Sequence, residues 1–220
     1  LSVCSLGSAA AGCGPVGDLS RVRLKAVSDG DTLVLTDGRR LRLVGVNTPE
    51  LKRRGDDEPL ATEARRALQD MLGAPGSVFF IQVGAEAKDK YGRLMVHGFS
   101  RENGGNLAQM LLTRGLGWRV AVPPNLRYQA CLVQAEEGAR RAARGVWSAA
   151  SASGGPLEPG FTLRAARIIE VDFRDSWWLE TDAGFVARVM AQDQPWFERR
   201  LLEESVGRRV ELRGWMYRRS

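Results

Sequence analysis

Histidine, lysine and long apolar runs are scarce in this 220-residue chain. His97 is its one histidine, so a His-rich metal site is excluded, and any His-based nucleophilic triad would have to run through that residue. His97 lies inside the apolar, strand-like run "RLMVHGF" and reads as structural. No apolar stretch is long enough to span a bilayer, so stable membrane insertion is not expected. Lysine supplies only 4 of the 32 basic residues and arginine the other 28, for a net charge of +6. Such a balance suits a polyanionic partner such as nucleic acid, although a solvated arginine-rich surface would give the same totals.

The chain also begins without methionine, and its opening, "LSVCSLGSAAAGCG", carries no charge. Small, apolar and uncharged, it resembles the tail of a secretory signal, with "SAAA" as a small-residue cleavage site. Residues 1–19 are therefore expected to be a signal-peptide tail or an N-terminal arm, and the protein to be exported, periplasmic or secreted. Three cysteines beside such a start favour an oxidised pair over metal ligation. The expected disulfide joins Cys13 to Cys131 and leaves Cys4 in the tail. The alternative is that Cys131 is simply a small core residue of an Ala-rich helix.

Along the chain, "RVRLKAV" (21–27) alternates as a strand, and "DTLVLT" and "RRLRLVGV" flank Asp37-Gly38, a hairpin turn signal. Apolar residues at 60, 64, 67, 68, 71 and 72 have helical spacing behind Pro59. "SVFFIQV" and "RLMVHGF" are two further strands around the charged loop "GAEAKDKYG". Asn106 can cap a helix ending at Gly115, and Pro123-Pro124-Asn125 introduces a long Ala- and Arg-rich helix up to Gly145. Strands first, with helices packed on them, predict a mainly β, α+β domain over 20–148: a five-stranded OB-like barrel with three helices. Residues 149–160, "AASASGGPLEPG", have linker composition. Residues 161–220 then read as a second, small OB-like β domain that stops on a strand, so that its sheet can be incomplete. Trp177 and Trp178 in that unit can stack on bases if exposed, but one of two adjacent strand tryptophans is more often core.

The polar residues that interrupt the apolar pattern carry the chemistry. A hairpin turning at 37–38 brings Asp31 near the end of the partner strand, "LRLVGVNTPE" (41–50). Asp31, the Asn47 side chain and the Thr48 carbonyl then form a hard-oxygen set suited to Ca²⁺. Arg42, internal to a strand, needs a buried anion, which a bound phosphate could supply. "DKYGR" (89–93) adds Arg93 beside a charged loop. Two guanidinium groups, a cation and Glu50 around one phosphate would make a phosphodiester hydrolysis site, with Glu50 orienting or deprotonating the attacking water. Each signal alone is weak, since "DGDT" is usually a turn and an Arg–Glu pair usually a salt bridge.

Together, "DGDT", "LRLVGVNTPE", "DKYGR" and "GVWS" stand in the order found in staphylococcal nuclease, and residues 20–148 resemble that family. The resemblance implies a Ca²⁺-dependent, sequence-tolerant nuclease acting on DNA and RNA and leaving 3′-phosphate ends. It also implies that Arg42, Glu50 and Arg93 are catalytic, that Asp31, Asn47 and Thr48 hold the metal, and that Lys90 and Tyr91 contact the substrate's terminal phosphate. Two departures stand out. Asn47 replaces the family's usual aspartate, and "GWRVAVPPN" lacks the tyrosines placed against the nucleotide, with Trp118 as a candidate substitute. A monomer is expected. The competing readings are a non-catalytic nucleic-acid-binding OB module and an interaction scaffold.

Overall fold

The computed structural model describes residues 12–52, 55–148 and 159–217. Cys4, the "SAAA" segment and all but the last two residues of the expected linker lie outside them. The chain divides between 153 and 154 into two compact units.

The first unit contains β1 (Ser20–Asp29), β2 (Thr32–Leu35), β3 (Arg40–Leu43), β4 (Val46–Asn47), α1 (Ala61–Leu72), β5 (Val78–Lys88), β6 (Leu94–Arg101), β7 (Gly104–Asn106), α2 (Leu107–Thr113), β8 (Trp118–Arg119) and α3 (Gln129–Arg141). Six strands form one sheet in the order β3-β2-β1-β5-β6-β7, and an additional parallel pairing of β3 with β6 returns the sheet on itself. Alternation decides which side chains enter. Leu24, Leu33, Leu35, Leu41, Leu43, Phe79 and Ile81 pack into one core with Leu68 of α1 and Leu111 of α2. The 37–38 turn forms as its residues suggest: Asp37 Oδ1 accepts from the Arg39 amide at 3.0 Å, and Gly38 takes φ 87°. Helix α1 buries Ala61, Ala64, Ala67, Leu68 and Leu72 as one stripe. It lies so close to the 29–31 turn that a Cβ on Gly30 would meet Thr48 Oγ1 at 2.6 Å and Ala64 Cβ at 2.8 Å. That approach anchors Asp31 beside Thr48.

The last helix of this unit differs from the expectation at both ends, and it stops at Arg141 instead of running up to Gly145. Helix α3 begins at Gln129, because Asn125 spends its side chain on β5 instead of starting a helix. Its Oδ1 accepts from the Glu86 amide at 3.0 Å, and its Nδ2 donates to the Glu86 carbonyl at 3.1 Å. Cys13 and Cys131 are joined in a disulfide, with Cα atoms 5.7 Å apart, that ties the N-terminal arm to α3. His97 is buried edge-on to Tyr128, with ring centroids 4.9 Å apart. Burial, then the nearby Arg127 charge, holds its pKa down at about 4, so the ring is neutral at physiological pH.

The second unit is an antiparallel sheet, β11-β10-β9-β12, made of β9 (Gly160–Asp172), β10 (Trp177–Thr181), β11 (Val186–Val189) and β12 (Arg209–Met216). Between β11 and β12, the run "QPWFERRLLEE", whose composition suggests a helix, forms the end of a 3₁₀ turn, Ala191–Trp196, and then a short α4, Arg199–Glu203. Pro195 lies within the 3₁₀ turn, where its lack of an N–H keeps the segment from forming one continuous α-helical ladder, and extended Phe197 and Glu198 separate the two elements. Ile168, Leu179 and Val189 form a small core against which Trp177 and Leu202 pack. Trp178 faces the other way, 39% exposed, with the Arg188 guanidinium 4.9 Å from its ring centroid.

Candidate active site

The site is assembled where β2, β3 and β4 end. Register places Thr32 opposite Arg42, so Asp31 falls beside the chain leaving β3. With Leu41 and Leu43 in the core, Arg42 projects from the opposite face, yet it is only 9% exposed. Its guanidinium is held on both arms. Nη1 donates to the carbonyls of Leu43 at 2.6 Å and Val46 at 2.8 Å. Nη2 lies 2.9 Å from Asp31 Oδ2 and donates to Asn47 Oδ1 at 3.0 Å. The buried anion that Arg42 requires is thus supplied by Asp31 within the chain, and not by a phosphate alone. A buried guanidinium cannot stay uncompensated, and the nearest carboxylate takes it.

Asp31 accepts from two further donors. Its Oδ2 also accepts from the Thr48 amide at 3.1 Å, and its Oδ1 accepts from Thr32 Oγ1 at 3.2 Å. Asn47 Nδ2 reaches the Thr48 carbonyl at 3.4 Å. Thr48 Oγ1 is buried and has no hydrogen-bond partner. Asp31, Asn47 and Thr48, the three expected cation ligands, therefore stand within one hydrogen-bonded group. Among the described residues, no three His, Cys, Asp or Glu side chains converge as a metal cluster. The donors offered here are one carboxylate with amide, hydroxyl and main-chain oxygens, all hard, and these suit Ca²⁺.

Glu50 stands at the rim. Much of the residue is exposed, but its carboxyl is partly dehydrated and hydrogen-bonded to that of Asp29. Dehydration, then the charges of Asp31 and Asp29, push its pKa up to about 7, while Arg42 pulls weakly the other way. Asp29 is raised as well, first by dehydration and then by Asp31. Sequence reading overlooked Asp29 as a partner of Glu50, although its place in "DGDT" was the available signal. The Asp31 charge thus opposes ionisation of both Glu50 and Asp29, and a cation held beside these carboxyls would relieve that repulsion. The Glu50 amide donates to Glu58 Oε2 at 3.0 Å, pinning the start of the following loop.

Arg93 joins from the loop before β6. Its Nη1 donates to Thr32 Oγ1 at 3.3 Å, linking it to the strand that pairs with Arg42. Its Nε donates to Asp89 Oδ2 at 2.7 Å, and Asp89 Oδ1 accepts from the amides of Tyr91 and Arg93, each at 2.9 Å. Dehydration opposes the Asp89 charge, but the Arg93 bonds outweigh it and its pKa is lowered. Tyr91 is 71% exposed, with Lys90 Nζ 5.1 Å and the Arg93 guanidinium 5.5 Å from its ring centroid. These three form one cationic, aromatic knob. Trp118 pairs with Asn47 across β4 and β8 and is half-buried there.

Comparison with known proteins gives a consistent result. The model of a family described as staphylococcal nuclease homologue matches residues 40–149 and stops before the second unit. A thermonuclease of Staphylococcus intermedius is 30% identical over 128 residues, which is 56% of this chain and 74% of that protein. A thermonuclease of Staphylococcus hyicus is 29% identical over 126 residues, 56% of this chain and 72% of that protein.

Proposed function

The chain belongs to the staphylococcal nuclease family, and on that premise we propose that it is a Ca²⁺-dependent nuclease cutting DNA and RNA without sequence preference to 3′-phosphate ends. The observation that supports this reading is the Arg42–Asp31 pair at the strand ends, with Glu50 held against Asp29 and electrostatically coupled to that pair, and with Thr32 Oγ1 bridging Asp31 to Arg93. In this reading the sheet closed through β3 and β6 is an OB-like barrel. Residues 20–148 hold every proposed catalytic residue, and 161–220 form a second, small OB-like unit. Export accords with the Cys13–Cys131 disulfide, which persists in oxidising compartments.

Asp31, the Asn47 carbonyl and the Thr48 carbonyl would hold the cation. When bound, it supplies charge neutralisation at the phosphoryl oxygens. Arg42 and Arg93 bind the scissile phosphate and stabilise the charge that grows on its equatorial oxygens. Glu50, poised near pKa 7, takes a proton from water as the water oxygen bonds to phosphorus and the P–O5′ bond breaks. The leaving 5′ oxygen takes a proton from solvent. Lys90 and Tyr91 hold the neighbouring phosphate.

Plasmid and single-stranded substrates incubated with Ca²⁺ or with a chelator test the proposal. Glu50→Gln and Arg93→Ala should each lower turnover roughly a hundred- to a thousand-fold, the usual loss of one preorganised transition-state contact. Arg42→Ala should do the same, but it also strips buried Asp31 of its cation, which costs about 3–5 kcal/mol of stability. Circular dichroism must accompany that variant. Near-normal activity in folded Glu50→Gln and Arg93→Ala would overturn the mechanism.

A further inference from the structure

We propose that the outer face of β1, β2 and β3 is a track for a nucleic-acid backbone, ending in a phosphate-binding subsite lined by Arg21, Arg23 and Arg39. The proposal rests on the chain acting on nucleic acid and adds a second contact region outside the catalytic rim.

Strand alternation creates the track. Val22 and Leu24 of β1, Leu33 and Leu35 of β2, and Leu41 and Leu43 of β3 all enter the core. Arg21 and Arg23, then Val34 and Thr36, then Arg40 and Arg42, must therefore occupy the opposite face. Arg21, Arg23 and Arg40 are exposed there. Arg40 pairs with Val34, and the Thr36 amide donates to the Arg23 carbonyl at 3.1 Å, so hairpin and β1 form one surface. Arg42 lies at the catalytic end of this face, and the Asp37-Gly38 turn at the other.

At the turn end the surface sinks into a groove of about 290 Å³ lined by Arg21, Arg23, Thr36, Asp37, Arg39 and Val78. Three arginines and one carboxylate line it. Asp37 is paired with Arg39 at 2.8 Å, and Arg23 Nη1 donates to the Gly76 carbonyl at 3.1 Å. The groove therefore keeps a surplus of positive charge and free guanidinium donors, while Asp37 and Gly76 orient two of the arginines. Arg39 lies just outside β3, at the parity of Leu41 and Leu43, so it enters the groove from the turn and not from the β3 face. A strand rise of about 3.4 Å per residue puts it roughly 10 Å along the hairpin from Arg42. That distance is about three phosphates of a B-form strand, and fewer of an extended one.

Charge is distributed in the way this track requires. Residues 1–153 carry 21 basic against 15 acidic residues, whereas residues 154–220 carry 11 of each. All the net positive charge lies in the unit that holds the catalytic rim. The exposed Trp178 and Arg188 of the second unit stand on a surface with no such surplus.

The test is equilibrium binding of a labelled single-stranded oligonucleotide, by fluorescence anisotropy in chelator, across a salt series. It is paired with cleavage of a dinucleotide and a long oligonucleotide in Ca²⁺. Arg21→Gln/Arg39→Gln should weaken oligonucleotide binding about tenfold and flatten the salt dependence by about 0.7 for each lost phosphate contact. Its kcat/KM loss should be about tenfold greater on the long substrate than on the dinucleotide. Asp37→Asn, which can still accept the Arg39 amide, removes the groove's one negative charge and should tighten binding. Wild-type affinity and salt slope in the double variant, or equal losses on short and long substrates, would overturn the track. If the wild type binds through these arginines and cuts nothing, the track stands and the nuclease reading falls. If it cuts while the double variant binds like wild type, the reverse holds.

Discussion

Arg42 and Asn47 are bonded to each other: Arg42 Nη2 donates to Asn47 Oδ1 at 3.0 Å, and the same nitrogen lies 2.9 Å from Asp31 Oδ2. Two oxygens proposed to hold a cation are thus already engaged by the arginine proposed to hold the scissile phosphate. Cation and guanidinium compete for these oxygens until a phosphate gives Arg42 another partner. Metal and nucleotide should therefore bind with positive coupling, of the order of 1–3 kcal/mol.

Asn47→Asp adds a negative charge at this junction. It should tighten Ca²⁺ binding to the free protein, because ligand charge count tunes affinity at such sites. It should also strengthen the hold on Arg42, so turnover need not rise. Calorimetry on both proteins, with and without a non-hydrolysable nucleotide, reads both quantities. Equal Ca²⁺ affinity in the two free proteins would remove Asn47 from the metal site.

His97 makes stability pH-dependent in a stated direction. Its folded pKa of about 4 lies below the ordinary 6.5, so between those values the unfolded chain binds more protons than the folded one. The stabilisation is complete above about pH 6.5 and fades as pH falls toward 4, by up to about 3 kcal/mol. Chemical denaturation across that window should show the loss. His97→Phe, which keeps an aromatic ring against Tyr128, should flatten the curve there. An unchanged slope in that variant would mean that other groups carry the effect.

The Cys13–Cys131 disulfide spans 118 residues of sequence, and the chain-entropy argument assigns a loop of that length about 4–5 kcal/mol. Measured effects usually run lower, so reduction should destabilise the first unit by about 2–5 kcal/mol. The N-terminal arm is also held by Val16, whose amide donates to Tyr128 Oη at 3.0 Å and whose carbonyl accepts from Gln82 Nε2 at 2.6 Å. Those bonds should loosen with it. Melting with and without reductant, and of the Cys13→Ser/Cys131→Ser variant, measures the effect. The residues proposed as catalytic lie elsewhere, so the proposed activity should survive at low temperature.

Much of the architecture could be read from periodicity, because a half-buried strand or helix must repeat its apolar residues at the spacing of its own geometry. The core leucines of β1 to β3 and the stripe of α1 follow that rule, and the Asp37-Gly38 turn follows from the backbone angles its residues favour. Arg42 stood out as a cation inside an apolar strand, and Asp31, Glu50 and Arg93 as charged residues of short polar motifs at strand ends. The residues each of them would meet were not legible, because contact between distant segments depends on sheet closure and loop direction. Only tertiary structure gave Arg42 the Asp31 carboxylate, joined Glu50 to Asp29, set Trp118 across from Asn47 and turned Asn125 toward β5 instead of into α3. It also gathered Arg21, Arg23 and Arg39, unremarkable in the sequence, around one groove. Local order is encoded residue by residue, but a charge acquires its partner only when the strands close.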